Sequence, residues 1–347
     1  MSRFLNFSKN ILVSNFTRSD RPYKLTLALT DRCNSRCRLC RIWQKKFQRE
    51  MGLAEISRFF RENDFFNWID LTGGEVFLRE DLLEIIKVIL LTQKKLYFLH
   101  LPTNGRLSNK IETAIREILA LGPPRLIISI ALDGPPEIHD RLRGVKGSWR
   151  EAVRTYQLLQ KIKSKRFNCC FGMTLWGKNA HLIEKTYRAL KKEIPALRKK
   201  ELHFNLAHRS EHYYANSRVD LGLNKTLVKN LNEFRKCQGF SFKPFFFIEA
   251  LYQKGIGDYL KNGRPPLPCR ALAASVFIDP RGEIFPCSIW NNPIGNLAQI
   301  NYDLKRFWQT PKVLKVRRQA NKLKCPGCWT PCEAYQSILG NLKKSFF

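Results

Sequence analysis

Hydrophobic positions along the chain change their period several times, and each change predicts a new element. Short runs rich in Leu, Ile, Val and Thr are typical of buried strands, and apolar residues three and four apart are typical of helices. The pattern predicts six strands, at 24–30, 68–72, 97–103, 126–132, 168–175 and 201–206, with helices such as 79–92 and 149–163 between them. Six strand–helix units favour an α/β fold, a barrel-like or doubly wound parallel sheet with binding groups at the carboxyl ends of its strands.

The pattern changes after Cys237, where an aromatic, Pro-rich and Gly-rich stretch begins. Such a stretch is typical of a boundary between domains. We therefore predict an N-terminal extension at 1–23, a core domain at 24–237 and a small cysteine-rich domain at 238–347. Because the last domain has a small core and five cysteines, we expect a bound metal to supply part of its stability.

The charge of the chain is strongly unbalanced, with 61 Lys and Arg against 29 Asp and Glu and a formal net charge of +32. This balance indicates nucleic acid, an anionic membrane surface or an acidic substrate, with a generally basic cellular background as the alternative. Basic residues crowd positions 32–49 and 305–324, and the second run contains no acid. No RNA-binding motif accompanies either run, so a nucleic-acid partner is not the favoured hypothesis.

The eleven cysteines fall mainly into two groups, one near each end of the chain. The N-terminal residues lack the apolar core and cleavage site of a secretory signal, and no apolar run reaches the length of a membrane span. We therefore expect a cytoplasmic protein with reduced thiols and without a transmembrane segment.

The first group, Cys33, Cys37 and Cys40, directly follows the first predicted strand with the spacing Cys-x3-Cys-x2-Cys. Thiolates on one loop can converge on a single metal centre, and sulfur ligands favour an iron–sulfur cluster or zinc. Structural zinc sites normally have four protein ligands, and no fourth Cys or His lies nearby in the sequence. Three ligands on a four-iron cluster would leave one iron open to a small molecule. A zinc site with a distant fourth ligand is the alternative.

The spacing of these cysteines after the first strand resembles the defining motif of the radical S-adenosylmethionine (radical SAM) superfamily. The resemblance implies a partial (β/α)6 TIM-like barrel that holds a 4Fe-4S cluster and is followed by a small cysteine-rich iron–sulfur domain. In this family the open iron binds the amino and carboxylate groups of S-adenosylmethionine. Reductive cleavage of the bound molecule then releases a 5'-deoxyadenosyl radical.

Three further segments resemble parts of the same family. After the second strand, Gly73, Gly74 and Glu75 match the GGE motif, which implies backbone contact with the methionine moiety and a carboxylate for its ammonium group. Asn104 ends the third strand at a position that often lines the cofactor pocket. Arg143 matches the arginine that pairs with the cofactor carboxylate. Ala131 departs from the pattern, because the subgroup usually has Ser there, so we expect that polar contact to be absent or supplied elsewhere.

The second group of cysteines resembles the SPASM auxiliary-cluster domain in a shortened form, often called twitch. Cys269 and Cys287 match its opening, with Gly282 between them, and Cys325, Cys328 and Cys332 follow. The resemblance implies one auxiliary 4Fe-4S cluster on Cys269, Cys287, Cys325 and Cys328, with Cys332 able to replace one of these ligands. The spacing of four thiolates does not distinguish a cluster from zinc.

Taken as a whole, the resemblance implies an enzyme that cleaves S-adenosylmethionine and abstracts hydrogen from a substrate carbon. Its expected partners are S-adenosylmethionine, a reductant such as flavodoxin or ferredoxin, and a substrate that is a peptide, a cofactor precursor or a sugar-like molecule. The auxiliary cluster would assist oxidation, bind substrate or be structural. Because 23 residues precede the first strand, we do not expect a leader-peptide module within this chain. A radical SAM enzyme of nucleic acid or anionic lipid, and a non-catalytic iron–sulfur protein, are the alternatives.

Overall fold

Six parallel strands form the central sheet in the order in which they occur along the chain. The computed structural model describes residues 2–16, 21–223, 225–236 and 244–345. The strands are β1 (Lys24–Thr30), β2 (Trp68–Gly73), β3 (Phe98–Thr103), β4 (Leu126–Ala131), β5 (Phe167–Leu175) and β6 (Leu202–Leu206). Every predicted strand is present, and the observed ends differ from the predicted ends by at most one residue. The partial barrel expected from the sequence is confirmed.

Helices lie before, between and after these strands. In the first part of the chain they are α1 (Arg3–Phe16), α2 (Leu53–Glu62), α3 (Leu82–Thr92), α4 (Ser108–Ala120), α5 (Pro136–Arg143), α6 (Ser148–Gln160), α7 (Ile183–Glu193) and α8 (Lys225–Lys236). The C-terminal part contains α9 (Pro244–Asn262), α10 (Leu304–Phe307), α11 (Pro311–Asn321), α12 (Pro331–Leu339) and α13 (Leu342–Ser345). Helix α3 starts later than predicted because Arg79 is buried and donates to the carbonyl oxygens of Leu29 and Met51.

Strand β4 shows how the sheet separates its two faces. Leu126, Ile128 and Ile130 are fully buried in the main hydrophobic core, whereas the alternate residues are only partly buried. On that second face the hydroxyl of Ser129 lies 2.8 Å from Nε2 of His100. Since side chains alternate along a strand, the barrel has an apolar exterior under the helices and a polar interior.

The cysteine-rich region extends the barrel sheet. Strand β7 (Ser275–Ile278) pairs in parallel with β1, and β8 (Glu283–Phe285) and β9 (Gly295–Asn296) complete a nine-stranded sheet. The turn between β7 and β8 contains Gly282 at a φ of 81°, a conformation that glycine adopts without strain. The boundary predicted at Cys237 lies outside the described residues. The division into three parts therefore stays a prediction.

A buried ion pair joins the barrel to the C-terminal helix α12. Nζ of Lys24 lies 3.1 Å from Oδ2 of Asp70, and the two side chains are 1% and 9% exposed. The same ammonium group donates to the backbone oxygen of Cys332 at 2.7 Å. The hydroxyl of Ser275 adds a 2.6 Å hydrogen bond to Oε2 of Glu333. Helix α12 is thus fixed to both β1 and β7.

The N-terminal extension, in which no element is predicted, forms helix α1. Its Phe7 ring packs against Tyr23 and Tyr97, with ring centroids 5.9 Å and 5.6 Å apart. These contacts place α1 at the amino ends of the barrel strands, away from the cysteine-bearing loop that follows β1.

Candidate active site and auxiliary cysteine site

The cysteine loop, residues 31–42, leaves the carboxyl end of β1 and is held by two other segments. The backbone nitrogens of Arg36 and Arg38 donate to the carbonyl oxygens of Arg143 and Leu142, both at 2.9 Å. On the other side, the backbone nitrogen of Arg41 donates to a carbonyl oxygen in the segment after β6 at 2.8 Å. The loop that carries Cys33, Cys37 and Cys40 is therefore anchored on both sides.

The thiols of this loop are buried enough to disfavour the thiolate in the absence of a cation. Burial raises the pKa of Cys33 to about 11 and that of Cys40 to about 12. Coordination to iron deprotonates a thiol, so a cluster would remove this penalty. Among the described residues, the hydroxyl of Ser35 in the same loop is buried without a hydrogen-bond partner. Buried thiols and an unpartnered polar atom fit a site that receives an inorganic group.

The turn with Gly73 and Gly74 lies directly against the cysteine loop. The backbone nitrogens of Gly74 and Glu75 donate to the carbonyl oxygens of Thr30 and Arg32 at 2.7 and 2.9 Å. A Cβ atom on Gly74 would lie 2.1 Å from the Arg32 oxygen, and one on Gly73 would lie 2.2 Å from the Thr30 oxygen. Both positions require glycine because a side chain would collide with the neighbouring backbone segment. This steric reason is separate from the contact with the methionine moiety that the family resemblance implies.

Glu75 is fully buried at the centre of the predicted cofactor pocket. Its carboxylate accepts hydrogen bonds from the backbone nitrogen of Asn104 at 2.7 Å, from the hydroxyl of Thr103 at 2.9 Å and from the backbone nitrogen of Phe77 at 3.4 Å. Burial raises the pKa of Glu75 to about 7, although these donors oppose the shift. A bound cationic group would stabilise its ionised form.

Asn104 connects the end of β3 to the cysteine loop. Its side-chain nitrogen donates to Oδ1 of Asn34 at 2.7 Å and lies 4.0 Å from Sγ of Cys33. The structure thus places Asn104, Glu75 and Cys33 together.

Arg143, the last residue of α5, reaches the same place from the opposite side. One terminal nitrogen lies 2.8 Å from Oδ2 of Asp133, and the other donates toward Sγ of Cys37 at 3.6 Å. Its Nε is buried and lacks a hydrogen-bond partner among the described residues. Sequence reasoning missed Asp133, although its position directly after the fourth predicted strand was a usable signal. Ala131 stands opposite Gly172 in the register of β4 and β5, so neither residue supplies the absent serine contact.

Four of the C-terminal cysteines form a second group, in which Cys287 is buried and Cys269, Cys325 and Cys328 are partly buried. Cys269, Cys287 and Cys328 pack around Ala271 and Ile289 in one small hydrophobic cluster. Burial is the main cause that raises the pKa of each of these thiols, and the neighbouring cysteines, with Cys325 among them, add to the shift. Neighbouring thiolates repel one another, and a shared cationic centre would remove this repulsion.

Cys332 has partly different neighbours. After burial, the groups that shift the pKa of its thiol are Lys24, Asp70 and Glu333, and Glu333 also raises the pKa of the other four cysteines. It lies at the start of α12, and Lys24 of the buried ion pair donates to its backbone oxygen. Among the described residues, no other cysteine is in the set of groups that shift the pKa of Cys332, in contrast to Cys269, Cys287 and Cys328.

Tyr213 and Tyr214, in the segment after β6, link the two cysteine sites and were missed by sequence reasoning. Tyr214 packs with Cys33 and Cys40 in one hydrophobic cluster and with Cys269 and Cys328 in another. The hydroxyl of Tyr213 lies 2.7 Å from Oγ1 of Thr72, beside the glycine turn. No local motif marks these tyrosines, because their role depends on contacts with distant segments.

The second basic run contributes to helix packing. Lys305 pairs with Asp64 at 3.2 Å, and Arg317 is buried and donates to the backbone oxygen of Trp308 at 3.2 Å. Part of this run therefore holds α10 and α11 in place.

The described residues contain neither a ligand set for a single metal ion nor a membrane-spanning helix. Within ranges 2–16, 21–223, 225–236 and 244–345, no three His, Cys, Asp or Glu side chains are arranged to hold a single metal ion. Over the same part of the chain, no helix is long and apolar enough to cross a membrane.

Family models match both parts of the chain. The model of the radical SAM superfamily matches residues 27–190, and the SPASM model, described as an iron–sulfur cluster-binding domain, matches residues 269–329. The first match contains the cysteine loop and the pocket around Glu75 and Arg143. The second begins at Cys269 and includes Cys328.

Curated relatives include the antilisterial bacteriocin subtilosin biosynthesis protein AlbA of Bacillus subtilis (strain 168). It is 26% identical over 331 residues, 88% of this chain and 65% of AlbA. A probable GTP 3',8-cyclase of Thermococcus kodakarensis is 31% identical over 137 residues, 38% of this chain and 42% of the cyclase. The chain therefore spans less than two thirds of the length of either relative.

Solved structures share the fold. Streptococcus suis SuiB bound to S-adenosylmethionine superposes with a TM-score of 0.61 at 14% identity, over 86% of this chain and 68% of SuiB. The enzyme anSMEcpe with bound AdoMet gives 0.60 at 16% identity, over 94% and 97% of the two chains. The two family matches show that the protein belongs to the radical SAM superfamily and carries a SPASM iron–sulfur cluster-binding domain, and the solved structures show that it shares their fold.

Proposed function

We propose that this radical SAM enzyme modifies a peptide, by abstracting hydrogen from a carbon atom of one of its residues. The observation that carries the proposal is the similarity to AlbA, a bacteriocin biosynthesis protein, over 88% of this chain. SuiB, which shares the fold, has been solved in complex with its precursor peptide SuiA. The match to the cyclase covers only 38% of the chain and supports the family alone.

In this proposal Cys33, Cys37 and Cys40 hold the catalytic 4Fe-4S cluster. The bound cluster and S-adenosylmethionine supply reductive formation of a carbon radical, which is chemistry that no side chain provides. The backbone bonds that anchor the loop at Arg36 and Arg38 fix the position of the three sulfur ligands. The protein therefore contributes position, and the cofactors contribute reactivity.

The pocket beside the loop offers complementary charges for the amino-acid part of S-adenosylmethionine. Glu75 accepts from its ammonium group, and Gly73 and Gly74 bring backbone close to it. Arg143 binds its carboxylate through the buried Nε, which has no partner among the described residues, and Asn104 completes the rim. Charged groups that are buried in fixed positions bind a zwitterion without reorganising, which also keeps water from the reactive carbon.

Cys269, Cys287, Cys325 and Cys328 hold the auxiliary cluster in this proposal, and Cys332 does not bind iron. The support is the packing of Cys269, Cys287 and Cys328 in one hydrophobic cluster, the effect of Cys325 on the pKa of Cys269 and Cys287, and the absence, among the described residues, of any other cysteine from the groups that shift the pKa of Cys332. An auxiliary cluster close to the barrel can take up the electron that remains after hydrogen abstraction, which would make the net reaction an oxidation. Zinc on the same four thiols is the competing hypothesis.

Metal analysis of anaerobically reconstituted protein separates these hypotheses. Two four-iron clusters require about eight irons per chain. About four irons with one zinc would overturn the auxiliary-cluster assignment, and zinc without iron would overturn both.

Catalysis is tested by reaction with dithionite and S-adenosylmethionine, which should yield 5'-deoxyadenosine. The triple variant of Cys33, Cys37 and Cys40 to Ala should lose this product while it keeps its auxiliary iron. A variant of Cys237, Cys169 and Cys170 to Ala is the matched control and should retain the product. Activity in the first triple variant would refute the assignment of the loop.

The substrate class is tested with precursor peptides encoded beside the gene. Incubation with the correct peptide should stimulate 5'-deoxyadenosine formation and change the peptide mass by the hydrogen lost. Stimulation by a nucleotide or an RNA in place of any peptide would overturn the peptide assignment and leave the enzyme class intact.

A further inference from the structure

Helix α1 has one face on the barrel and one face in solvent. Phe7 and Ser14 are buried, whereas Leu5 and Leu12 are 54% and 53% exposed. Positions 5, 9 and 12 lie on the same side of a helix, so the exposed Lys9 stands between the two leucines. Large apolar side chains grouped on one exposed face are typical of a surface that binds a partner or a membrane.

The end of α3 combines the same two kinds of side chain. Leu91 is 62% exposed, and Lys87 and Lys94, which precede and follow it along the chain, are also exposed. All three line one surface cavity of about 340 Å³, together with Arg3 of α1. The other lining residues are mainly apolar, among them Leu90, Leu96, Leu121 and Pro124. The cavity therefore has apolar walls and a basic rim.

Helix α1 adjoins this cavity. Nε of Arg3 donates to the backbone oxygen of Lys94 at 3.2 Å, and the ring centroids of Phe4 and Tyr97 are 5.8 Å apart. The two exposed rows are thus parts of one surface of the molecule. We call its six exposed residues the amphiphilic face: Leu5, Lys9, Leu12, Lys87, Leu91 and Lys94.

The cations of the amphiphilic face lack acidic partners. In the part of the chain that the structure describes, no ion pair is found for its three lysines, and the cavity lining contains no carboxylate. Helix α1 has no acidic residue, and Glu84 of α3 and Glu117 of α4 lie outside the lining. Uncompensated cations beside exposed leucines are complementary to a surface with negative charge outside and apolar groups beneath.

We propose that the amphiphilic face binds the surface of a bilayer that contains anionic phospholipid. Leu5, Leu12 and Leu91 enter the boundary between headgroups and acyl chains, and the three lysines contact the phosphates. Binding is peripheral, because no helix within the described ranges is long and apolar enough to span a membrane. A second copy of this chain is disfavoured as the occupant, since two surfaces of the same positive charge repel each other.

The place of the amphiphilic face in the fold is compatible with substrate access. Helix α1 lies at the amino ends of the barrel strands, whereas the cysteine loop leaves the carboxyl end of β1. A bilayer on the first side leaves the cysteine loop open to the solvent. The proposal does not depend on which substrate the enzyme modifies.

Sedimentation with lipid vesicles tests the proposal. The full chain should bind vesicles of phosphatidylcholine mixed with phosphatidylglycerol at least about tenfold more tightly than vesicles of phosphatidylcholine alone, because each lysine near an anionic surface adds to the affinity. High salt should weaken binding to the mixed vesicles, because it screens these charges. Equal affinity for both kinds of vesicle, or no binding to either at low salt, would overturn the proposal.

Two variants separate the apolar contribution from the charge contribution. L5S/L12S and K9E/K94E should each bind the mixed vesicles at least about tenfold more weakly, and the affinity of K9E/K94E should also depend less on salt. The matched controls are F47S, which removes an exposed aromatic ring elsewhere, and K312E/K315E, which reverses two exposed lysines of α11. Both controls should bind the mixed vesicles as the unmodified protein does.

Thermal unfolding in solution shows whether each variant is folded. If L5S/L12S has a lower unfolding midpoint, L12S alone replaces it, with a smaller loss of vesicle affinity expected. Equal loss of affinity in K9E/K94E and K312E/K315E would overturn the site, because net charge alone would then govern binding. A dimer that L5S/L12S dissociates, with unchanged vesicle affinity, would assign the face to a second copy. Loss of affinity for a single-stranded RNA of mixed sequence in K9E/K94E, with unchanged vesicle affinity, would assign it to nucleic acid.

Discussion

Replacement of Glu75 by Gln removes the negative charge from the proposed cofactor pocket and keeps the size and shape of the side chain. The side chain is 0% exposed, and three protein donors already use most of its acceptor positions. One acceptor position of the carboxylate is left for the ammonium group of S-adenosylmethionine, and water cannot take the place of this acceptor when the ligand is bound. A hydrogen bond to a charged group contributes about 1.5–3 kcal/mol. The dissociation constant of E75Q should therefore rise about 10- to 150-fold.

The stability of the ligand-free protein gives a second readout. Burial raises the pKa of Glu75 to about 7, so a neutral amide lowers the cost of burying the side chain. Its NH2 group, however, must face a donor such as the backbone nitrogen of Asn104 and cannot accept from it, so the unfolding midpoint should fall. Equilibrium dialysis with S-adenosylmethionine on cluster-loaded protein measures the affinity, and thermal unfolding measures the stability. The matched control is E55Q, at the start of α2, which should bind normally. An unchanged dissociation constant in E75Q would refute the assignment of this carboxylate to the ammonium group.

Four other substitutions test three separate parts of the structure. C332A should still load about eight irons, whereas C328A should lose about four; equal iron loss in both, measured after anaerobic reconstitution, would return Cys332 to the ligand set. G74A should fail to bind iron at the cysteine loop, because the new Cβ would lie 2.1 Å from a backbone oxygen of that loop; a normal spectrum of the reduced cluster would contradict this. D70N leaves the ammonium of Lys24 buried and unpaired and should cost about 3–5 kcal/mol in urea unfolding. Burial would raise the pKa of Asp70, but Lys24 and His100 outweigh it and hold the pKa below its ordinary value. The pair should therefore stabilise the fold above about pH 4 and lose its effect as the pH falls further, and a pH-independent stability difference would contradict this.

Tyr214 shows how the tertiary structure adds to the site. Its ring packs in both cysteine-containing hydrophobic clusters, although the residue lies far from Cys40 and from Cys269 along the chain. Asp133 is a similar case, since its bond to Arg143 depends on how β4 and α5 meet. Tyr214 has no composition or spacing signal that would separate it from an ordinary surface residue, whereas the position of Asp133 directly after the fourth predicted strand is a local signal.

The sequence by itself determined the six barrel strands to within one residue, because alternation and β-branched runs are local properties. It also marked the three spaced cysteines, the glycine turn and Arg143 as candidate cofactor-binding residues, because short motifs are local, and these assignments stay predictions. Only the tertiary structure decided that β7 pairs with β1, that Lys24 of β1 donates to the backbone oxygen of Cys332, and that Arg141 and Lys178 share one cavity with Arg38. These facts depend on contacts between segments that are distant along the chain. The same local sequence pattern is compatible with many pairings of such segments, and tertiary packing selects one of them.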